Sequence, residues 1–197
     1  MCGRYYIDEL DASFEELLEQ LNRRPAGDQR PLASAGEIRP MDYAPVIANS
    51  RRLEAKPFVM QWGFSGFGAS KRPVINARSE TAASSGMFGE PMKTRRCLIP
   101  ASHYFEWQHM GRERIRHAVA LPGERMMMAG VYRFEADRAL PVFAILTREA
   151  APQIAHIHSR MPVIVPESLC GAWLSADADA QAVLAAAQTY VVYGAVM

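Results

Sequence analysis

The stretch RRCLIPASHYFEWQHMGRERIRHAVAL, residues 95–121, decides the fold class of this chain. Apolar runs on both sides of Met110 and Gly111 predict two antiparallel strands joined by a hairpin turn. A further strand is expected before them, and Pro100 predicts a turn at its end. Strands that follow one another through short turns indicate antiparallel pairing, because parallel strands need long crossover connections.

The remainder of the chain continues this pattern of short strands without regular alternation with helices. Strand-like apolar runs occupy residues 45–49, 56–64, 72–78, 125–134, 140–147, 161–166 and 189–196. Helices are expected over residues 11–24, 167–174 and 177–188. Ser13 and Glu16 predict a capping box for the first helix, and Pro152 predicts the start of a further short helix. We therefore expect one α+β domain, residues 1–197, with mostly antiparallel strands.

The composition excludes several classes of function. The 197 residues carry 22 basic and 21 acidic side chains, so a formal charge of +1 gives no overall attraction for nucleic acid. Acidic residues near the start argue against a secretory signal. No apolar run approaches the roughly 20 residues of a membrane-spanning helix. We therefore expect a cytoplasmic protein that does not enter a membrane.

Cys2 is the first candidate for chemistry, because it directly follows Met1 in MCGRYY, residues 1–6. Removal of Met1 leaves a thiol and an α-amine on adjacent carbons, with reference pKa values of about 8.5 and 7.7. Such a pair condenses with an aldehyde to an imine and then to a five-membered thiazolidine. The alternative interpretation of any single cysteine is a small buried apolar residue.

Glu106 is the candidate acid or base for the proton transfers that this chemistry requires. In YFEWQ, residues 104–108, a strand places Phe105 and Trp107 opposite to Glu106. Aromatic neighbours desolvate a carboxylate and raise its pKa towards the range that is useful for proton transfer. An exposed glutamate on the polar face of a hairpin is the alternative.

Two further polar motifs contain candidate functional residues. HIHSRMP, residues 156–162, contains His156 and His158, whose spacing disfavours a metal pair on a helix. On a strand or loop they could still be metal ligands, and two surface histidines are the alternative. INARSET, residues 75–81, ends an apolar strand with Asn76, which either orients a carbonyl or hydroxyl group or only forms a turn. Ser79 is expected to cap the helix that follows.

A local surface for nucleic acid is predicted from arginine and aromatic side chains, because bases stack on aromatic rings and guanidinium groups bind phosphates. The candidate residues are Arg4, Arg39, Arg78, Arg95, Arg96 and Arg160 with Trp62, Phe64, Phe67 and Trp107. Scattered arginines as solvated charges, and Trp62 as a core residue, are the alternatives.

Four motifs occur in a specific order: MCGRY, WGF with INARSET, RRCLIPASHYFEW, and ILT with IHSRMPVIV. Their combination, from Cys2 to about Trp173, closely resembles the SRAP family, the SOS-response-associated peptidase-like proteins. The resemblance implies a barrel-like, mostly antiparallel core with flanking helices. It also implies a cytoplasmic sensor and shield of abasic sites in single-stranded DNA, associated with the nucleoid when bound, that crosslinks covalently to the ring-opened sugar aldehyde.

The resemblance also implies roles for individual residues. Cys2 supplies the amine and thiol, Asn76 matches the active-site asparagine, Glu106 the acid-base glutamate that forms and reverses the crosslink, and His158 the histidine near the sugar. Positions that hold DNA are matched by Arg4, Arg78, Ser79, Trp107, Thr147 and Arg160, and positions that stack against it by Trp62, Phe64 and Phe67.

The chain departs from the family pattern in two loops that bear on DNA binding. FSGFGAS, residues 64–70, replaces a Pro-x-Trp element and offers Phe67 instead. EIRPMDYAP, residues 37–45, replaces the commoner Asn-x-Ala-Pro loop, and we expect Arg39 and Pro40 to take part in DNA binding there.

Two other functions stay open. One is an autoproteolytic cysteine peptidase that exposes Cys2 and uses His158 as base, and the other is a zinc-binding module built from Cys2, Cys97, Cys170 and a histidine. The irregular cysteine spacing disfavours zinc. We expect a monomer that needs no cofactor or metal and that binds single-stranded DNA containing abasic sites. The sequence does not indicate which replication or repair proteins it contacts.

Overall fold

Antiparallel strands make up most of this computed structural model, which describes residues 2–23, 28–66 and 72–196. The strands are β1 Arg4–Ile7, β2 Gly36–Ile38, β3 Tyr43–Asn49, β4 Ala55–Trp62, β5 Asn76–Arg78, β6 Arg96–Ala101, β7 His103–Met110, β8 Glu113–Ala120, β9 Met126–Arg133, β10 Val142–Glu149, β11 Arg160–Pro162 and β12 Val192–Val196. The helices are α1 Ala12–Asn22, α2 Ser79–Ala82, α3 Gly89–Thr94, α4 Cys170–Leu174 and α5 Ala180–Ala185, with a 3₁₀ turn at Glu167–Leu169.

Five strands close into a ring in the order β10-β4-β3-β6-β9, because β9 also pairs with β10. Gly130 lies at the closure and pairs with Cys97 of β6 on one side and Ile145 of β10 on the other. Strands β5 and β11 add to β10, β5 in parallel and β11 antiparallel. The expected barrel-like core with flanking helices is therefore confirmed.

A second sheet, in the order β12-β8-β7-β1-β2, is antiparallel throughout. Its hairpin turns at Gly111, whose φ of 62° suits a glycine, so the turn expected at residues 110–111 is confirmed. The inner face carries Tyr5 and Tyr104, which belong to the same buried cluster as Trp62 and Phe143 of the barrel. The other face of this sheet, called the outer face below, carries Arg4 and its cross-strand neighbours.

The expected turn at Pro100 is wrong. Pro100 lies within β6, opposite Met127 of β9. On its other side β6 pairs with β3 only at Cys97 and Leu98, so the missing N–H of Pro100 costs no ladder hydrogen bond there. The chain turns instead at Ser102, between β6 and β7.

Helix starts also differ from the expectations. Asp11, not Ser13, caps α1, and its carboxylate accepts a hydrogen bond from the Ser13 N–H at 3.0 Å. Ser79 is the first residue of α2 rather than its cap, and the N-cap residue Arg78 makes no capping bond through its side chain. Residues 152–157 form turns instead of the helix expected after Pro152.

Arg96 is buried in the structure, so its place on a nucleic-acid surface is wrong. Its Nε donates to the carbonyl oxygen of Trp173 at 2.7 Å, and its Nη2 donates to the carbonyl oxygens of Ser175 and Ala178. These oxygens lie at and beyond the end of α4, where helix carbonyls lack partners within the helix. Arg96 thus attaches α4 to the barrel. None of the described helices is both long and apolar enough to span a bilayer.

Candidate active site between the two sheets

Cys2 lies between the barrel and the inner face of the second sheet, two residues before the start of β1. Its side chain is fully buried, and Sγ donates to the carbonyl oxygen of Arg4 at 3.7 Å. Burial raises the pKa of the thiol, and the nearby charge of Glu106 raises it further. The thiol is therefore neutral at physiological pH and needs a proton acceptor before its sulfur can react.

Asn76 connects Cys2 to the barrel. Parallel pairing of β5 with β10 places Asn76 opposite Ile145, at the start of the short strand. Its side-chain Nδ2 donates to the carbonyl oxygen of Cys2 at 2.8 Å. Its Oδ1 is buried and has no hydrogen-bond partner among the residues that the structure describes. Asn76 thus fixes the backbone of Cys2 and keeps an acceptor oxygen available beside it.

Glu106 is buried on the inner face of β7, which contradicts the alternative of an exposed hairpin glutamate. Only 4% of the residue is exposed, and Tyr104 shares its face of the strand. Burial raises the pKa of the Glu106 carboxyl group, and the charge of His158 opposes that rise. A carboxyl group with a raised pKa keeps its proton at a higher pH than an ordinary glutamate does, which favours a role in general acid–base catalysis.

His158 is half-buried after the turns at residues 152–157, whereas His156 is exposed. The ring Nδ1 of His158 accepts a hydrogen bond from the Arg160 backbone N–H at 2.9 Å. In the neutral ring Nε2 therefore carries the proton, so this nitrogen is a donor. Its electrostatic interaction with Glu106 places both groups in one site with Cys2.

Arg160 and Thr147 lie next to one another on β11 and β10 but differ in accessibility. Arg160 donates to both carboxylate oxygens of Glu80, at 2.7 and 2.8 Å, and this hydrogen bonding lowers the pKa of Glu80 to about 2. Thr147 is fully buried and donates to the carbonyl oxygen of Ala77 at 3.2 Å. Direct contact of Thr147 with DNA is contradicted by this burial; it joins β10 to β5 instead.

In INARSET, Arg78 and Ser79 differ in their exposure to solvent. Arg78 pairs with Thr147 in the sheet and is exposed. Ser79 is only 7% exposed, so its predicted contact with DNA is not supported by its position. Arg78 is thus the cation that this segment presents to solvent.

Trp62 and Phe64 are core residues, so their predicted stacking against DNA is wrong. Both are fully buried. The indole N–H of Trp62 donates to the carbonyl oxygen of Ile75 at 3.0 Å, and its ring lies 5.2 Å from that of Tyr5. The Phe64 ring packs against Phe88 at 5.4 Å. The third expected stacking residue, Phe67, lies outside the described residues.

Arg4 and Trp107 lie on the outer face of the second sheet, opposite to Glu106. Arg4 pairs with Phe105 across β1 and β7, and it forms an ion pair with Glu37 of β2. Arg39 is exposed, and its Nε lies 3.3 Å from the same carboxylate. Pro40 is half-buried in the loop between β2 and β3. Trp107 and these arginines therefore form a group separate from the buried site.

Sequence reasoning missed Glu37 and Arg116, which complete this outer group. Arg116 of β8 pairs with Trp107 in the sheet and forms an ion pair with Glu37. The pairing of Arg116 with Trp107 could have been predicted from the hairpin turn at Gly111, because that turn sets the register of the two strands. The ion pair of Arg116 with Glu37 could not, because it depends on which strands lie beside β1, and no local pattern encodes that long-range pairing.

The structure does not bring the cysteines and a histidine together. Over residues 2–23, 28–66 and 72–196, no three His, Cys, Asp or Glu side chains are grouped so that they could hold a metal ion. Cys97 is buried and Cys170 is half-buried, both as free thiols. The zinc-module alternative therefore has no support in the described part of the chain.

Comparison with known proteins identifies the family of this chain. The family model described as SOS response associated peptidase (SRAP) matches residues 1–195. The abasic site processing protein YoqW of Bacillus subtilis is 27% identical over 190 residues, which cover 89% of this chain and 80% of YoqW. The abasic site processing protein YedK of Escherichia coli is 27% identical over 178 residues, 88% of this chain and 79% of YedK.

Solved structures show the same fold. A protein from Bacteroides thetaiotaomicron aligns with a TM-score of 0.78 and 19% identity, over 100% of this chain and 92% of its own. A phage-related protein from Bordetella bronchiseptica aligns with a TM-score of 0.77 and 22% identity, over 99% and 94% of the two chains.

Proposed function

The chain belongs to the SOS response associated peptidase (SRAP) family, and from this premise we propose that it senses and processes abasic sites in single-stranded DNA by forming a covalent thiazolidine crosslink through Cys2. The observation that carries the proposal is the placement of Cys2: Asn76 holds its backbone while Glu106 lies in the same buried environment. The names of the relatives YoqW and YedK, both abasic site processing proteins, agree with it.

The chemistry begins once Met1 has been removed. The α-amine of Cys2 attacks the aldehyde carbon of the ring-opened sugar, and loss of one water leaves an imine. The Cys2 sulfur then adds to the imine carbon while the thiol proton is transferred to the nitrogen. One C–N and one C–S bond form, one water leaves, and no oxidant or reductant takes part.

Glu106 is the group that moves these protons. Its raised pKa suits protonation of the departing hydroxyl group during imine formation and acceptance of the thiol proton afterwards. The same steps in reverse release the crosslink. His158, with a proton on Nε2, donates to the sugar oxygen that develops charge as the ring opens. Asn76 Oδ1 accepts a hydrogen bond from a sugar hydroxyl or from the free amine.

The test is incubation of the purified protein with single-stranded DNA that carries one abasic site, followed by a denaturing gel. We expect a slowly migrating protein–DNA band from protein whose mass confirms loss of Met1. The variant Cys2→Ala is expected to lose the stable band but to keep an imine-dependent strand cleavage, because its α-amine remains. Absence of the band from correctly processed protein, or its persistence in Cys2→Ala, would rule out the proposal.

A further inference from the structure

Two tyrosines lie on the inner face of the second sheet, beside the buried site. Tyr5 of β1 is directly opposite Tyr104 of β7 in the antiparallel pair. Glu106 follows Tyr104 two residues later, so both side chains project from the same face of β7. Tyr104 is therefore the neighbour of Glu106 along the strand, on the side of the sheet that faces Cys2.

The hydroxyl group of Tyr104 is an unused hydrogen-bond donor. The side chain is fully buried, and its oxygen has no hydrogen-bond partner among the residues that the structure describes. A buried hydroxyl group without a partner destabilises a folded protein, because it gave up its hydrogen bonds to water on folding. Phenylalanine would fill the same space without that loss, so the hydroxyl group does not serve the stability of the resting fold.

The charges that act on this hydroxyl group are those of the reacting residues. Burial raises the pKa of Tyr104, and negative charge on Cys2 and on Glu106 raises it further. The phenol therefore keeps its proton at physiological pH and is a donor, not a base. Burial raises the pKa of Tyr5 as well, but there the charges of Cys2 and of Asp42, in the loop between β2 and β3, add to the effect. Tyr104 is thus the phenol that lies with both Cys2 and Glu106.

The sulfur of Cys2 needs a donor when the thiazolidine closes. In the resting site Sγ is itself the donor, to the carbonyl oxygen of Arg4 at 3.7 Å, and a carbonyl oxygen does not stabilise a sulfur that has lost its proton. During closure the S–H bond breaks, the proton passes by way of Glu106 to the imine nitrogen, and the C–S bond forms. Negative charge therefore develops on a fully buried sulfur, where a hydrogen bond to it has a large effect.

We propose that Tyr104 is a further catalytic residue, whose hydroxyl group donates a hydrogen bond to the Cys2 sulfur as the thiazolidine closes and, in reverse, as it opens. The inference rests on the proposed function, because it takes the thiazolidine as the product. The phenol keeps its own proton in both directions, so it exchanges no atom or electron with the substrate. A donor that is already in place lowers the barrier, because it does not have to be reorganised during the step.

The variant Tyr104→Phe tests this, because it removes the hydroxyl group and keeps the ring. The imine either closes onto the sulfur or is lost through strand cleavage, so slower closure changes the proportion of the two products. With single-stranded DNA that carries one abasic site, we expect the ratio of crosslink to cleaved strand to fall roughly 10- to 100-fold. The melting temperature is expected to equal or exceed that of the parent chain, since an unpaired buried hydroxyl group is removed.

The same substitution in the Cys2→Ala protein isolates the role of the sulfur. That protein keeps its α-amine and forms only the imine, which borohydride reduces to a stable amine bond to the DNA. We expect Tyr104→Phe to leave the rate of this trapping unchanged, because there is no sulfur for the phenol to contact. Tyr132→Phe is the matched control, because Tyr132 is a half-buried phenol of β9 in the barrel, and it is expected to give parent values in both measurements.

Two results would overturn the role of Tyr104. One is a ratio of crosslink to cleaved strand in Tyr104→Phe that equals the ratio in Tyr132→Phe. The other is an equally large loss of borohydride-trapped imine in the Cys2→Ala protein, which would make Tyr104 a structural support of the whole site. In both cases a parent chain that still crosslinks retains the proposed function. A parent chain that has lost Met1 and forms no crosslink removes the proposed function and this inference together.

Discussion

At the scale of single residues, Asn76 makes one hydrogen bond on which the geometry of the crosslinking reaction depends. Asn76→Ala removes the 2.8 Å bond to the Cys2 carbonyl oxygen and leaves the reacting residue less well positioned. We expect the crosslinking rate to fall roughly 10- to 100-fold. The rate is measured by quenching the reaction at intervals and separating the products on a denaturing gel.

Asn49→Ala is the control for this prediction. Asn49 donates to the carbonyl oxygen of Leu174 at 3.0 Å, a bond of the same kind away from Cys2. Both variants are expected to lose roughly 1 kcal/mol of stability, but only Asn76→Ala is expected to crosslink slowly. Equal crosslinking rates in the two variants would contradict a positioning role for Asn76.

Glu106 is expected to be required for crosslinking and, at the same time, to lower the stability of the folded protein at high pH. Burial raises its pKa in the folded protein, so the folded state holds this proton more tightly than the unfolded chain does. The contribution of Glu106 to the free energy of unfolding is therefore largest at low pH and decreases as pH rises through the raised pKa. Glu106→Gln is expected to crosslink roughly 100-fold more slowly or worse, and to be more stable than the parent chain at pH 8.

Chemical denaturation at pH 8 and pH 4.5 checks the stability part of this prediction. The advantage of Glu106→Gln is expected to shrink at pH 4.5, where the parent carboxyl group stays protonated in the folded state and is about half protonated in the unfolded chain. Glu113→Gln, at the exposed end of the β7–β8 hairpin, is the control. The prediction fails if Glu106→Gln is less stable at pH 8, or if its advantage is independent of pH.

At the scale of secondary-structure elements, closure of the barrel depends on Gly130 of β9. A Cβ atom there would lie 2.3 Å from Cδ1 of Ile99 and 2.9 Å from the Ala144 carbonyl oxygen. Gly130→Ala is expected to lower the melting temperature by roughly 3–10 °C, because backbone must move to make room. In Gly194→Ala of β12 the new Cβ meets nothing within 4 Å, so no comparable loss is expected. Equal melting temperatures for the two variants would contradict the tight closure at β9.

The elements show what a local pattern can predict and where it fails. The hairpin at Gly111 follows from its neighbours alone, because turn chemistry is local. The turn predicted at Pro100 was wrong because a proline ends a strand only where a neighbouring strand requires its N–H for a hydrogen bond. Whether it does depends on how far β3 extends along β6. The expectation from Pro152 failed because residues 152–157 bury Ile154 and Ile157 in the core through successive turns that do not continue into a helix.

At the scale of the whole molecule, the fold class predicted from the sequence is confirmed, whereas residues whose exposure depends on which sheet face they occupy were misassigned. Cys2, Asn76, Glu106 and His158 come together from four separate segments, as the family resemblance implied. The local sequence around Trp62 and Phe64 does not distinguish them from exposed residues that stack on bases. In the structure both side chains are covered, by packing of the second sheet and of α3. Glu37 was missed because two of its arginine partners, Arg4 and Arg116, come from strands that are distant in sequence.

The central claim is that the free N-terminal Cys2 closes a thiazolidine on the abasic-site aldehyde, and mass spectrometry of the crosslinked protein after tryptic and nuclease digestion tests it most directly. The account predicts a modified peptide of residues 2–4, without Met1, whose mass equals peptide plus sugar fragment minus one water, and whose sulfur no longer reacts with iodoacetamide. A fragment attached to a lysine, or to a peptide that still begins with Met1, would contradict it.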